Sequence, residues 1–515
     1  MPGGDRGGPR PASSPLDLGP EGLAESRTTT TLAGGVTLTQ ITRGANDPSL
    51  VWTLEVLIGP GAASPDPDAP PTAISDEASA NSTAERLRRN GFSPRVEAVA
   101  QPRAVDVAPG TLGYRVRVGT FPTKAAAELA RAELVATGEK ASSVYTGWDG
   151  DRSARGPWHV NVVTIDPRTF RGHLGASFGP DLFNRETTSA LSAAAGATVG
   201  VNAGFFVLDP ASGAPGDPAG VGVYNGHLLS EPIAGRPALV LREDARHTAV
   251  ERLWWKGTAN VVGRSVLLDG IDRVPGLIRN CGGDATDTPT ARPLHDTTCT
   301  DPDEVVELTT VYGATTPSGP GREVVLGADD RVTAVLLSRG TTLAPGETSL
   351  QATGNRVGEL AGVRVGDRVP VTAGLRDAAG HQVRASGRET IVNGGPQLVR
   401  NGREEITQDR DGFVHPGDPS FAYGFVVKRN PRTFAGADGQ GRTVLVTVDG
   451  RSTTDLGLSV PETADVARSL GLVDAINLDG GGSTAMAVRG QLVTHPSDAA
   501  GERPVGDAIL VTPGR

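Results

Sequence analysis

The sequence predicts an α+β protein: a strand-rich mixed α/β catalytic domain preceded by a small ferredoxin-like (split β-α-β) module. Three observations carry this. Gly 69 and Pro 39 in 515 residues, with only 4% aromatics, describe a chain of many turns rather than a helical bundle. The length exceeds what one ordinary core accommodates, so two or three domains are expected. Hydrophobic periodicity changes along the chain, with short alternating runs and a few Ala-rich helical stretches in between. The expected division is a flexible lead over 1–48, the small module over 49–150 and the catalytic domain over 151–515, with 279–300 as an inserted loop.

The elements follow in order. Residues 1–48 are rich in Gly, Pro, Ser and Thr and begin without periodicity. Val51 to Ile58 alternates like a strand, and a Pro/Asp/Ala loop follows it. Ser82 to Gly91 reads as a helix closed by glycine, ahead of a strand over Pro94 to Ala100. The pattern then repeats: a strand over Gly113–Phe121, a helix over Thr123–Gly138, and a strand over Ser142–Thr146. Two β-α-β halves make the split module.

Within that module, Tyr114-Arg-Val-Arg-Val-Gly-Thr-Phe121 followed by an Ala-rich helix resembles the sporulation-related repeat (SPOR) domain. The resemblance implies binding of peptidoglycan glycan strands through residues 49–150.

From Trp158 onward strands dominate, with runs at Val160–Ile165, Ala238–Leu241, Val305–Tyr312, Val332–Leu337 and Arg368–Thr372. The clearest helix spans Ser459 to Gly471. Ser459 and Glu462 have capping-box spacing, Pro461 sits in the first turn and Gly471 closes it.

The formal charge of -10 and pI near 5.4 give a nucleic-acid role no electrostatic support. No run of 18 apolar residues exists, so no membrane span is expected. Met1-Pro-Gly-Gly-Asp lacks the apolar core of a signal peptide, which taken literally means cytoplasmic. Cys281 and Cys299 point the other way. They lie close together in a polar segment, where a disulfide closing a surface loop is the favoured reading, and a disulfide implies export by a signal missing from this sequence. The expected location is therefore extracellular or cell-wall associated. No Cys-x-x-Cys pair occurs, and none of the 8 His forms a metal-type cluster.

The most informative stretch is Asp474-Ala-Ile-Asn-Leu-Asp-Gly-Gly-Gly-Ser-Thr-Ala-Met486. A buried strand delivers Asp479, and the three glycines bring backbone N–H groups within reach of a ligand. A strand rather than a helix is expected after the glycines, and no Gly-Lys-Ser/Thr occurs, which removes a nucleoside-triphosphatase. Gly200-Val-Asn-Ala-Gly-Phe-Phe206, Thr390-Ile-Val-Asn-Gly-Gly-Pro396, Thr447-Val-Asp-Gly-Arg451 and Gly501-Glu-Arg-Pro-Val505 share this texture of strand and polar turn. Each alone is an ordinary turn.

As a set they resemble the phosphodiester glycosidase family, the N-acetylglucosamine-1-phosphodiester α-N-acetylglucosaminidase-like proteins, from about Trp158 to Arg515. Asn202, Asn393, Arg432, Asp449 with Arg451, and Asp479 fall on the family's motifs in order. The resemblance implies hydrolysis of the bond between a sugar and a phosphodiester-linked partner. The chain departs from the family at Phe434, where a small residue is common, and at Ala437–Arg442, which replaces a tight turn.

Such a reaction must stabilise an oxocarbenium-like sugar and a departing phosphate. The expected catalytic residues are Asp479, against the sugar, Asp449 as second carboxylate, and Arg432. Expected substrate-site residues are Asn202 and Asn393, to hydrogen-bond sugar hydroxyls or hold the carboxylates in place, Gly394, Arg451, the N–H groups of Gly480, Gly481 and Gly482, and Ser483 and Thr484. His415, Glu231 and Glu502 are spare titratable groups. The sequence requires no cofactor; an oxygen-ligated Ca²⁺ stays open. Two alternatives also stay open: a non-catalytic glycan-binding wall protein and a metal-dependent phosphodiesterase.

Overall fold

Strand Trp158–Ile165 is apolar on both sides: Trp158, Val160 and Val162 join one core, Val163 and Ile165 another. Such a strand belongs in the middle of a sheet covered on both faces, and the computed structural model, which describes residues 14–58, 71–282, 287–288 and 293–514, places it there. The sheet has eight strands in the order Glu25–Ala33, Val36–Arg43, Trp158–Ile165, Thr443–Val448, Arg432–Asp438, Leu472–Asn477, Gln397–Arg400 and Arg403–Glu404. All neighbours are antiparallel.

Helix Val460–Ser469 covers one face. Its start is the capping box read from sequence, with Ser459 Oγ accepting from the Glu462 amide and the Glu462 carboxylate from the Ser459 amide. Val460, Ala464, Val466 and Ala467 pack on Phe434, Val444, Val446 and Val448. The other face meets a five-stranded sheet of Gln491–Leu492, Met486–Val488, Val199–Asn202, Ala508–Thr512 and His173–Ser177, through Val201, Met486 and Ile509 against Ala435, Leu445 and Ile476. Strand Met486–Val488 is the expected strand after the glycines.

A further sheet joins His227–Ser230, Gly222–Tyr224, Glu389–Asn393, Pro237–Arg242 and Thr248–Arg252. Between its last two chain segments, two more sheets built from residues 254–383 enclose their own core around Val261, Val305, Val324 and Leu350.

The N-terminal module orders its strands Pro94–Ala100, Thr111–Phe121, Trp52–Val56 and Ala141–Tyr145, all antiparallel, with helices Glu77–Arg89 and Lys124–Val135 between them in sequence. It packs directly on the rest of the chain. Ser420 Oγ bonds the backbone of Ile74, and Tyr423 Oη and Lys428 Nζ both bond Glu55.

Two expectations need correction. Within the 1–48 lead, residues 25–43 form a hairpin whose second strand pairs along the whole of Trp158–Ile165, because Val36, Leu38 and Ile41 have apolar surface to bury; residues 1–13 lie outside the described residues. The 279–300 loop is anchored, with short strands Leu277–Arg279 and Thr298–Thr300 paired and the Cys281–Cys299 disulfide buried rather than on the surface. Part of that loop and most of the Pro/Asp/Ala loop after Ile58 lie outside the described residues. No helix among the described residues is long and apolar enough to cross a membrane.

Candidate active site

The antiparallel register gathers the motifs at one edge of the eight-stranded sheet. Arg432 begins its strand opposite Val448, so Asp449 leaves the sheet beside it. Phe434 faces Asn477, so Asp479 leaves at the same edge, and Gln397, which faces Ile476, brings Asn393–Pro396 there as well. A cavity of about 90 Å³ opens at this edge. Its walls include Phe205, Phe206, Asn280, His295, Phe425, Asn430, Arg432, Arg451, Asp479, Gly480, Gly481, Ser483 and Arg503.

Asp479 is held through its backbone. Its amide donates to Ala203 O at 3.0 Å, and Asn202 Nδ2 donates to its carbonyl at 2.7 Å. Asn202 Oδ1 in turn accepts from Thr433 Oγ1 and the Ala485 amide. Asn202 is fully buried and does not line the cavity, so of its two expected roles it takes the second, holding Asp479 in place as a clamp joining three chain segments.

The glycine loop is corrected too. The Gly480 amide bonds Asp479 Oδ1, that of Gly481 bonds Pro431 O, and those of Ser483 and Thr484 bond Gly480 O and Gly481 O. The Gly480 and Gly481 N–H groups are therefore engaged within the chain, which removes these two from the expected anion nest. The glycines are needed for close packing: a Cβ on Gly480 would lie 2.9 Å from Pro431 O, and one on Gly482 2.3 Å from Arg503 Nη2. Gly481, at φ +59, would bring its Cβ 3.1 Å from Arg451 Nη2. Ser483 lines the cavity, while Gly482 and Thr484 do not; the Thr484 hydroxyl is buried with no hydrogen-bond partner.

The loop thus brings Arg451 and Arg503 against the backbone beside Asp479. Arg503 pairs with Asp498 at 2.7 Å, and Arg451 Nε donates to Asn430 Oδ1 at 3.2 Å. Arg432 is buried with its Nε on Leu458 O at 2.9 Å and its Nη2 on Phe425 O, and it has no ion-pair partner among the described residues. Burial, and then the neighbouring Arg451, bring its pKa down to about 9. A buried guanidinium facing a second one in a cavity is an arrangement that an anion would stabilise.

Asp449 does not line this cavity. Its carboxylate is buried and accepts from the His495 amide at 3.2 Å and His495 Nδ1 at 3.0 Å. Burial raises its pKa to about 6 against the pull of His495. Asp455 stands next to it; burial pushes its carboxyl up, but hydrogen bonds from His159, Ser452 and Thr454 outweigh this and bring it to about 2. One ligand atom each from Asp449, Asp455 and His495 lies within 4.8 Å of the others. The sequence reading found no His/Asp cluster because 46 residues separate Asp449 from His495, and only the fold joins them.

Asn393 also proves to be framework. Its Oδ1 accepts from the Phe205 amide at 2.9 Å and its Nδ2 donates to Phe205 O at 3.1 Å, which fixes Phe205 and Phe206 as a cavity wall. Gly394 packs where a Cβ would lie 2.7 Å from Asn477 O. His295 was missed. It is buried against Phe205, Phe413 and Phe425, at ring distances of 4.2, 4.6 and 5.1 Å, and burial followed by Arg236 keeps it neutral. A single histidine in a polar loop carries no sequence signal for this role. His415 stacks on Phe421 rather than facing solvent freely, Glu231 pairs with Arg273, and Glu502 bonds Ser189.

The sequence model of the phosphodiester glycosidase family matches residues 319–512, a span that includes Asn393, Arg432, Asp449, Arg451 and Asp479 but not Asn202, and the SPOR domain model matches 72–145. A mouse N-acetylglucosamine-1-phosphodiester alpha-N-acetylglucosaminidase is 37% identical over 112 residues, 21% of this chain and 21% of the mouse protein, so the chain spans about a fifth of that relative. A solved structure from Burkholderia pseudomallei K96243, described as an exported protein, is 34% identical with a TM-score of 0.86, covering 97% of this chain and 99% of that one. A hypothetical protein from Synechocystis, 17% identical at TM-score 0.53 over 96% of this chain and 81% of its own, shares the fold. The chain carries a phosphodiester glycosidase domain over residues 319–512 and a SPOR domain over residues 72–145.

Proposed function

We propose that the protein is a cell-envelope hydrolase that cleaves the bond between a sugar and a phosphodiester-linked partner. The observation that carries this reading is Arg432, a buried guanidinium without a carboxylate ion-pair partner among the described residues, beside Arg451 and in the same cavity as Asp479. Arg432 and Arg451 hold the phosphate. Asp479 meets the sugar as the bond from the anomeric carbon to the phosphate oxygen breaks; water supplies hydroxyl to the carbon, and the phosphate leaves with the electron pair. Phosphate needs little protonation to leave, so a strong general acid is dispensable. Asp449 lies outside the cavity lining and holds His495. Asn202 and Asn393 act by holding Asp479 and Phe205.

In the N-terminal module we read the observed strand order as ferredoxin-like, and we assign it the docking of the enzyme on peptidoglycan glycan strands outside the cell. The SPOR match and the exported relative support this assignment. As proposed, the reaction requires no cofactor.

The Asp449–Asp455–His495 cluster favours a second reading, a metal-dependent phosphodiesterase. Product analysis on a sugar-1-phosphodiester separates the two. Free sugar with the phosphate retained on the partner supports the first; sugar phosphate supports the second.

A further inference from the structure

A second cavity, of about 200 Å³, lies behind the Cys281–Cys299 hairpin. Arg279, at the end of strand Leu277–Arg279, lines both cavities, so this strand runs between them. Trp254 and Trp255, both half-buried, form part of the second wall, with Asp217 and Glu231 among the polar groups. Asp217 is 5% exposed, and its Oδ1 is buried with no hydrogen-bond partner among the described residues. We propose that this cavity is a carbohydrate subsite that takes a neutral pyranose unit, with an indole against the sugar's C–H face and the Asp217 carboxyl on a ring hydroxyl.

The chemistry of the wall selects among ligands. A buried carboxyl oxygen without a partner lacks what a ligand hydroxyl provides. Indole faces match the apolar side of a pyranose. Arg273 pairs with both Glu231 and Glu304, at 2.7 and 2.5 Å, which offsets those carboxylates and weakens the case for a cationic amine. Asp217 and Asp269 on the same wall disfavour a phosphate. Asp217 and Trp254 lie outside the span 319–512 matched by the family model, so that match assigns them no role. That the sugar belongs to the same substrate as the cleaved phosphodiester rests on the function proposed above; the binding itself does not.

The test is a tryptophan-fluorescence titration of the full chain with N-acetylglucosamine. Tryptophan lines the second cavity and is absent from the described lining of the first. The expected result is a saturable change with a midpoint of roughly 1–10 mM, the range of weak single-unit binding. Trp254→Leu and Asp217→Ala should each weaken it at least about tenfold, a change of ~1.4 kcal/mol, and Asp479→Asn should leave it in place. Asp217→Ala removes a carboxyl whose Oδ1 has no hydrogen-bond partner among the described residues, so it keeps the test valid if Trp254→Leu fails to fold. No saturable change, a change that survives both substitutions, or saturation by tetramethylammonium in place of the sugar would overturn the proposal. Loss of hydrolytic activity with the titration intact would count against the proposed function alone.

Discussion

Lys428 Nζ lies 2.5 Å from Glu55 Oε1, joining the end of a cavity-wall segment to the first strand of the N-terminal module. Glu55 is 1% exposed and also receives Arg117 at 2.8 Å and Tyr423 Oη at 2.7 Å, while Arg117 pairs with Asp149. Phe421, Gly424 and Phe425, on the stretch that leads to Lys428, line the cavity. The module is thus bolted to the active-site wall.

Glu55→Gln should cost about 3–5 kcal/mol, because it leaves buried Lys428 and Arg117 without their shared carboxylate. Thermal unfolding measures the loss. The same pair makes a pH prediction. Burial pushes the Glu55 carboxyl up, but Lys428 and Arg117 outweigh it and bring its pKa to about 2 from 4.5. A lowered folded pKa means the unfolded chain binds more protons between these values. The contribution is therefore present above pH 4.5 and lost as pH falls towards 2, and Glu55→Gln should flatten the stability profile in that window.

Asn202→Ala removes the partner of the Asp479 carbonyl, the Thr433 hydroxyl and the Ala485 amide together. A loss of roughly 3 kcal/mol in stability is expected from buried groups left unpaired. Turnover should fall as well, with substrate affinity less affected, since Asp479 loses its position while the arginines keep theirs. Parallel measurement of Tm, kcat and KM checks this.

Arg432→Lys tests phosphate recognition. Lysine keeps charge but not the fork that holds Phe425 O and Leu458 O while facing the cavity. A fall in kcat/KM of about 10²-fold, or ~2.7 kcal/mol, is expected with a sugar-1-phosphodiester. An unchanged kcat/KM would remove Arg432 from the reaction.

Two glycines separate fold from site. Gly436→Ala would place its Cβ 1.9 Å from Asp474 O on the neighbouring strand, where backbone cannot yield, and should destabilise strongly. Gly482→Ala meets only the ends of Arg503 and Asp498, at 2.3 and 2.4 Å. It should displace that ion pair and raise KM with little change in Tm.

Local signals made much of this legible. Ser459 and Glu462 announced their helix, and the apolar strands ahead of Asp449 and Asp479 are sheet neighbours. Family motifs marked Asn202 and Asn393, but residue type alone does not say whether an amide faces a ligand or the chain; both face the chain. The hairpin of residues 25–43 was missed because its partner strand begins more than a hundred residues later, although Val36 and Leu38 already alternate with polar residues. Long-range pairing likewise hid the meeting of Asp449 with His495 and the place of His295 among phenylalanines. Three glycines beside an aspartate suggested room for substrate; Pro431 O crowds Gly480, and Arg451 and Arg503 crowd Gly481 and Gly482.

The central claim is which bond breaks. Hydrolysis of a sugar-1-phosphodiester in water enriched in heavy oxygen, followed by mass spectrometry of both products, measures it directly. Label in the sugar hydroxyl, with no product from Asp479→Asn, is the predicted result. Label in the phosphate would contradict the glycosidase assignment.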